Sequence, residues 1–146
     1  MIEPYKKKHL LDLLSLFTEN ENNYCYITLD NKRYYINDKV SLDLFLSNCK
    51  NIYIANDGRI KGIIASWKGK GGDTIRYYLK IFAIDNSTIN KLLSFYLPLT
   101  NIDIYIKIDK KVPFLSMLFK NGFKFLHGRG RELLLIYNIK RKKEWQ

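Results

Sequence analysis

The chain has 146 residues, and its 25 basic and 14 acidic side chains give a formal net charge of +11. A hydrophobic fraction of 47%, with only 8 Gly and 3 Pro, excludes disordered and collagen-like chains and predicts one globular domain. No apolar run approaches the roughly 20 residues of a membrane-spanning helix, and no apolar signal core follows the lysines at positions 6–8. We therefore expect a cytoplasmic protein. We also expect Cys25 and Cys49 to be reduced core residues, and we expect no metal site, because the two histidines form no cluster with them.

The positive charge lies mainly in the C-terminal half. Residues 1–73 hold 11 basic and 9 acidic side chains, whereas residues 74–146 hold 14 and 5. This asymmetry predicts an anionic partner. The alternative is genome bias, because Ile, Lys, Asn and Tyr fill 61 of the 146 positions, as in proteins of AT-rich genomes, and arginine, which suits planar phosphate recognition, occurs only six times.

In the first half of the chain, hydrophobic spacing predicts two helices and two β-hairpins. The helices cover residues 4–17, with Pro4 in the first turn, and residues 41–49, with Ser41 as the N-cap. The first hairpin joins strands 24–29 and 33–36. The second joins strands 51–55 and 60–67 around Asp57-Gly58, a dipeptide typical of tight hairpin turns.

In the second half, a glycine-rich segment at 69–72 predicts a flexible hairpin loop. The alternative, a phosphate-binding loop, lacks the Gly-Lys-Ser/Thr sequence and the helix that should follow it. The later elements comprise strands and helices in alternation: strand 74–84, helix 87–97 capped by Ser87, strand 102–108 with its isoleucines on one face, helix 113–121 and strands 123–127 and 132–139. Residues 1–139 form the predicted domain, and residues 140–146 form a basic tail.

Two stretches resemble the GNAT superfamily of N-acetyltransferases. Residues 45–67 read FLSNCKNIYIANDGRIKGIIASW, which resembles the family's helix, strand, acidic-Gly turn and strand. Residues 102–137 read IDIYIKIDKKVPFLSMLFKNGFKFLHGRGRELLLIY, which is similar to its strand, short helix and closing hairpin. The resemblance implies a single domain of the α/β or α+β class, with a mixed, bent sheet of six to seven strands flanked by about four helices.

The resemblance also implies a site for acetyl-CoA, the family's cofactor. The main chain of Ile81, Phe82 and Ala83 would bind the pantetheine arm. The amides of Asn86, Ser87 and Thr88 would meet the pyrophosphate. Two departures bear on this chemistry: one in the pyrophosphate loop, which predicts a weakened cofactor site, and one at the general acid, which disfavours catalysis.

The family's pyrophosphate loop, [QR]-x-x-G-x-[GA], is replaced by residues 85–90, which lack glycine and begin with the carboxylate of Asp85. The family's frequent general-acid tyrosine is replaced by Leu118, which cannot donate a proton to a leaving thiolate.

The sequence assigns no catalytic residue. Weak candidates for a base are Asp85, Tyr78 and Glu132, followed by Tyr77, Asp103 and His127, and for each the surface or structural interpretation is favoured over the catalytic one. Two functions remain open. One is acetyl-CoA-dependent acetyl transfer to a primary amine. The other is a non-catalytic module that binds nucleic acid or another polyanion through Lys110, Lys111, Lys120, Lys124, Arg129, Arg131, Lys140, Arg141, Lys142 and Lys143.

Overall fold

The computed structural model describes residues 1–30 and 32–139, and in this part of the chain nine strands and four α-helices alternate. The helices are α1 (Leu10–Glu19), α2 (Lys39–Asn48), α3 (Asn86–Tyr96) and α4 (Leu115–Lys120). The strands are β1 (Ile2–Pro4), β2 (Tyr26–Leu29), β3 (Lys32–Tyr35), β4 (Cys49–Asn56), β5 (Ile60–Gly71), β6 (Thr74–Ala83), β7 (Ile104–Asp109), β8 (Lys124–Arg129) and β9 (Glu132–Tyr137).

Seven strands form one mixed sheet in the order β1-β4-β5-β6-β7-β9-β8, and β2 and β3 form a separate two-stranded sheet. Within the large sheet, β6 and β7 are parallel and the other neighbours are antiparallel. This confirms the predicted fold class, a mixed sheet of six to seven strands flanked by about four helices, with the small sheet in addition. The closing β8–β9 hairpin places β8 at an edge of the sheet.

The sheet separates two hydrophobic cores. Alternation along β6 directs Leu79 and Ile81 into a core shared with α3 and α4. It directs Tyr78 and Phe82 to the opposite face, against α1, α2 and the small sheet. Both faces of the central strands are therefore buried, as expected for a sheet covered by helices on each side.

Gly62 in β5 allows α3 to lie directly on the sheet. A Cβ atom at this position would come within 2.9 Å of both the Ala83 Cβ and the Leu92 Cδ1. Leu92 is fully buried, so it cannot move aside without disturbing the core. The glycine therefore fixes the position of α3 at the end of β6.

The N-terminus differs from the prediction of a helix over residues 4–17. Ile2–Pro4 pairs with β4 as an edge strand, where the missing N–H of Pro4 costs little. A 3-10 turn, Lys7–His9, precedes α1, and the His9 Nδ1 accepts a hydrogen bond of 2.9 Å from the Lys6 amide. Local helical spacing could not reveal a pairing with residues about fifty positions away.

Both predicted N-caps were wrong. Asp38 caps α2, where its carboxylate accepts a hydrogen bond from the Ser41 amide, so Ser41 lies inside the first turn. Asp85 caps α3 in place of Ser87, in the same way. In each case an aspartate two or three residues upstream reaches the free amides of the first turn and displaces the serine as the cap.

The glycine-rich segment is mostly strand and not a flexible loop. Gly69 and Gly71 belong to β5, and the turn is formed by Gly72, whose φ is +65°, with Asp73. Cys25 is buried as predicted, while Cys49 is only half-buried, and both thiols are free. Burial raises the pKa of the Cys25 thiol to about 12.

The alternation predicted in the later strand is confirmed for Ile104, Ile106 and Ile108, which are buried on one face, although β7 begins at Ile104 and excludes Ile102. Within residues 1–30 and 32–139, no helix is both long and apolar enough to cross a bilayer. The predicted basic tail lies outside the described residues.

Candidate functional site

The parallel strands β6 and β7 part soon after they meet. Their ladder contains only Tyr77↔Ile104 and Tyr78↔Tyr105, while β6 runs on to Ala83 and β7 to Asp109. The strands therefore enclose a cleft between their C-terminal halves. Backbone groups along such a cleft lack a neighbouring strand and must find other partners.

The backbone of β6 presents alternate residues to this cleft. The Ile84 N–H donates to the Lys61 carbonyl on β5, so the residues of the opposite parity, Ala83 and Ile81, direct their backbone groups away from β5. Phe82 has the other parity, and its ring stacks on Phe17 with centroids 4.7 Å apart. Of the three predicted pantetheine-binding residues, Ile81 and Ala83 therefore face the cleft with their backbone, and Phe82 does not.

Tyr24 fills the cleft. Its ring centroid lies 5.4 Å from that of Phe82 and 5.1 Å from that of Phe114, and its hydroxyl accepts a hydrogen bond of 3.3 Å from the Ala83 N–H. The cavity that remains is about 10 Å³, which barely admits one water molecule. Burial raises the pKa of the Tyr24 hydroxyl to about 12, so at neutral pH it is a neutral group.

The N-terminus of α3, at the end of β6, is occupied by the protein's own carboxylate. The Asp85 Oδ1 accepts a hydrogen bond of 2.8 Å from the Thr88 amide. The hydrogen bonds from Thr88 hold the pKa of Asp85 below its usual range, so the cap is ionised at neutral pH. Of the three amides predicted to meet pyrophosphate, that of Thr88 is therefore engaged, while Asn86 and Ser87 lie exposed beside the negative charge.

A second cavity, which we call the tyrosine pocket, adjoins the cleft and has a volume of about 270 Å³. Tyr24 lines both cavities. The tyrosine pocket is lined by mainly aromatic and charged side chains from the small sheet and the residues before it, from β7, and from the β8–β9 turn and the start of β9: Asn23, Tyr24, Tyr26, Arg33, Tyr35, Asp109, Arg131 and Glu132.

Glu132 is the one of the three weak base candidates that lines the tyrosine pocket. Its Oε2 pairs with the Arg33 Nη2 at 2.9 Å and lies 3.4 Å from the Tyr26 hydroxyl. The Arg33 guanidinium also lies over the Tyr26 ring, 4.6 Å from its centroid. Burial raises the pKa of Tyr26 to about 12. Glu132 is thus neutralised by Arg33 and holds the small sheet against β9.

Lys80 lies beneath the small sheet, on the same face of β6 as Tyr78. Its Nζ donates a hydrogen bond of 2.8 Å to the Tyr26 carbonyl and lies 5.0 Å from the Tyr26 ring centroid. Desolvation lowers the pKa of this buried amine. Lys80 therefore ties β2 to the large sheet next to the cleft.

The remaining candidate bases lie away from both cavities. Tyr78 is buried, and its hydroxyl donates to the Lys70 carbonyl at 3.0 Å. Asp103 accepts a hydrogen bond from the Ile139 amide, and His127 is exposed on β8. Tyr77 packs against the α3 core, and Leu118 is fully buried.

The predicted polyanion-binding residues separate into two groups within the described chain. Lys110 and Lys111 in the β7–α4 connection, Arg129 at the end of β8 and Arg131 in the β8–β9 turn form what we call the basic turn cluster. The Lys110 N–H donates to the Arg131 carbonyl at 2.8 Å. Lys120 and Lys124 lie at the opposite end of β8. Lys140, Arg141, Lys142 and Lys143 lie outside the described residues.

A larger cavity of about 500 Å³ lies between α1 and the β4–β5 turn and is crossed by the pair Arg59–Glu19 at 3.2 Å. It shares no lining residue with the cleft or the tyrosine pocket. In the part of the chain that the structure describes, no three His, Cys, Asp or Glu side chains gather as a metal site. The site with convergent polar groups and perturbed pKa values is the cleft with its adjoining pocket.

Comparison with known proteins identifies the fold. No family model matches the sequence, and no curated protein is similar to it in sequence. Solved structures are similar over nearly the whole chain. The ribosomal-protein-alanine N-acetyltransferase from Brucella melitensis matches with a TM-score of 0.63 and 15% identity, over 93% of this chain and 97% of that one.

Two further structures agree. The GNAT domain of S. lividans PAT has a TM-score of 0.65 at 8% identity, with 93% and 88% of the two chains covered. An N-acetyltransferase from Staphylococcus aureus Mu50 has a TM-score of 0.56 at 15% identity, with 94% and 95% covered. The chain therefore has the GNAT N-acetyltransferase fold, as the sequence resemblance implied.

Sequence reasoning missed Tyr24, Lys80 and Arg33 as residues of this site. Tyr24 and Arg33 carried a strand signal only. Lys80 could have been recognised from the sequence. It is two residues from both Tyr78 and Phe82, so in a strand it shares their face, and that face is directed to the interior.

Proposed function

We propose that this protein is an acyl-CoA-dependent N-acyltransferase that transfers an acetyl group to a primary amine and binds its cofactor weakly. The single observation that carries the proposal is the parting of β6 and β7 beside the tyrosine pocket. The cleft offers the backbone of Ile81 and Ala83 to an extended amide chain, and the pocket offers a separate space for the acceptor. Because Tyr24 lines both cavities, its side chain must move before the two reactants can meet.

The chemistry asked of this site is modest. The neutral amine attacks the thioester carbonyl, a C–N bond forms, the C–S bond breaks and the thiolate leaves, while the nitrogen loses a proton. Most of the rate acceleration in such a reaction comes from holding the two reactants together in the right orientation. With Tyr24 displaced, the Ala83 N–H is available to a pantetheine carbonyl, and the pocket holds the amine on the same side of the sheet.

Two features support weak cofactor binding. Tyr24 must leave the cleft before pantetheine enters it, and the ionised Asp85 repels pyrophosphate at the start of α3. We expect a dissociation constant for acetyl-CoA of roughly 100 μM or weaker, about −5.5 kcal/mol.

Isothermal titration calorimetry with acetyl-CoA, paired with an assay of thiol release in the presence of primary amines, tests the proposal. Acetyl-CoA at millimolar concentration should bind to the protein without an amine, and thiol should be released only when an amine is present. Absence of both binding and release at millimolar concentrations would refute the acyltransferase. A low-micromolar dissociation constant would refute the weakened cofactor site.

The second candidate function is a non-catalytic module that binds nucleic acid or another polyanion. The observation in its favour is the basic turn cluster, which the Lys110–Arg131 backbone hydrogen bond holds together at one end of the sheet. Binding should then weaken steeply from roughly 50 to 200 mM salt, since about one counterion is released for each phosphate contacted. A gel-shift series on the wild type, Arg129→Glu/Arg131→Glu and a deletion of residues 140–146 tests it, and no binding at the lowest salt excludes it.

A further inference from the structure

The tyrosine pocket contains one ion pair and two charged side chains outside it. Arg33 and Glu132 form an ion pair at 2.9 Å and contribute no net charge. Arg131 and Asp109 also line the pocket, and within residues 1–30 and 32–139 neither lies in an ion pair. The Asp109 Oδ1 accepts a hydrogen bond of 2.8 Å from the Lys111 amide. Among the described residues, the pocket therefore presents one cation, Arg131, and one carboxylate, Asp109, that are not in ion pairs.

Cations dominate the surroundings of these two groups. The Lys110–Arg131 backbone hydrogen bond brings the β7–α4 turn to the β8–β9 turn, so Lys110, Lys111 and Arg129 lie near the mouth of the pocket. Each of these side chains is exposed. A concave site rimmed by one sign of charge raises the local concentration of ligands of the other sign. An anionic group is therefore favoured at the Arg131 side, where a guanidinium can bind a carboxylate or phosphate in a bidentate manner.

The opposite requirement applies next to Tyr24. Because Tyr24 lines both the pocket and the cleft, the group that reacts with the thioester must approach this side chain. The Asp109 carboxylate lines the same pocket and favours a cationic amine before it loses its proton. A volume of about 270 Å³ lies at the small end of ligand pockets and suits a small molecule.

We propose that the acceptor is a small primary amine that carries a phosphate or carboxylate group, with the anion on Arg131 and the amine directed to the cleft. The inference rests on the proposed acyltransferase function. The substrate ammonium becomes an amide and the acyl thioester becomes a free thiol. The nitrogen loses two protons in each transfer: one ends on the departing thiolate and the other is released to solvent. The anionic group is unchanged and serves only to bind and orient.

Four probe amines test the inference: O-phosphoethanolamine and β-alanine, which carry an anion, ethanolamine, which carries none, and cadaverine, which carries a second cation. Binding is measured by calorimetry without acetyl-CoA, and transfer by thiol release with it. We expect the two anionic amines to bind at least tenfold more tightly than ethanolamine. We expect Arg131→Glu to remove this preference, with Arg131→Gln reducing it.

The matched control is Lys7→Glu, which makes the same change in charge beside β1, at the far edge of the sheet from β9. Lys7→Glu should leave the preference intact, and thermal unfolding checks that each variant is folded. Equal losses in Arg131→Glu and Lys7→Glu would show an effect of net charge alone and overturn the inference.

The failure of the inference and that of the proposed function give different results. Thiol release on ethanolamine or cadaverine, with no preference for anionic amines, would support the acyltransferase and overturn the inference. Arg131-dependent binding of O-phosphoethanolamine with no thiol release on any amine would support the anionic ligand and overturn the acyltransferase. No binding of either anionic amine would overturn the inference outright.

Discussion

Removing the Tyr24 side chain should tighten acetyl-CoA binding, because this side chain occupies the cleft that pantetheine would enter. Opening the cleft in the wild type breaks two aromatic contacts, each about 0.5–1.5 kcal/mol, and a hydrogen bond of similar strength. The total of about 2–4 kcal/mol leaves the open state with roughly one part in 30 to one part in 1,000 of the population. The apparent dissociation constant is raised by the same factor.

Tyr24→Ala eliminates this cost, so we expect its dissociation constant for acetyl-CoA to fall by a factor of about 30 or more. Tyr24→Phe keeps both ring contacts and loses only the hydrogen bond to Ala83, so its affinity should rise by a factor of about 2 to 12. Calorimetry on the purified variants measures both constants.

Tyr34→Ala is the matched control, since Tyr34 lies exposed on the hairpin that follows Tyr24 and lines neither cavity. Circular dichroism melts should show a moderately lower stability for Tyr24→Ala, because the ring also packs the core. A folded Tyr24→Ala protein that binds acetyl-CoA no more tightly than the wild type would show that Tyr24 does not limit access to the cleft.

Four further changes test the fold and its electrostatics. Asp85→Ser keeps an N-cap for α3 and removes the negative charge, so acetyl-CoA should bind more tightly. Because the pKa of Asp85 is lowered in the folded state, this carboxylate stabilises the wild type above about pH 4, and the stabilisation is lost as the pH falls through the lowered pKa. Acid unfolding of the variant should lack this loss of stability. Ile104→Asp should lower the free energy of unfolding in urea by about 3–5 kcal/mol, and Tyr105→Asp should lower it much less. The reverse order would contradict the position of Ile104 on the buried face of β7. The pKa of the Lys80 amine is lowered in the folded state, so below about pH 10 the folded state holds fewer protons than the unfolded state, and the free energy of unfolding of the wild type should increase as the pH rises toward that value. Lys80→Met should reduce this increase. An identical increase in the variant would show that Lys80 does not contribute. Gly62→Ala should lower stability by about 1–3 kcal/mol through contact with Ala83 and Leu92, and an unchanged melting temperature would show that α3 can shift.

Elements whose signal is local were predicted well from the sequence. The Asp57-Gly58 turn and the alternating isoleucines of β7 each specify their structure within a few residues, and both are found. The N-terminal strand was not predicted, because Ile2–Pro4 is a strand only through its pairing with residues 53–55. The N-caps were misassigned since Asp85 and Ser87 are both good caps, and the entry of the chain from β6 selects between them.

The candidate site was predicted less completely than the fold. The absence of glycine after β6 drew attention to Asp85, whose carboxylate accepts a hydrogen bond from an amide of α3. Tyr24 could not be recognised, because its partners Phe82, Ala83 and Phe114 lie about sixty to ninety residues further along the chain. Contacts of this kind depend on how the small sheet docks, which no periodicity in the sequence encodes.

The small sheet has a consequence for how such a protein can change its substrate. Strands β2 and β3 pair only with each other, yet the hairpin and the residues just before it supply Asn23, Tyr24, Arg33 and Tyr35 to the pocket. Its attachment to the large sheet consists of side-chain contacts, such as that of Lys80 with the Tyr26 carbonyl. A chimaera that carries another hairpin of equal length and buried face should therefore change the lining of the tyrosine pocket while the seven-stranded sheet retains its register.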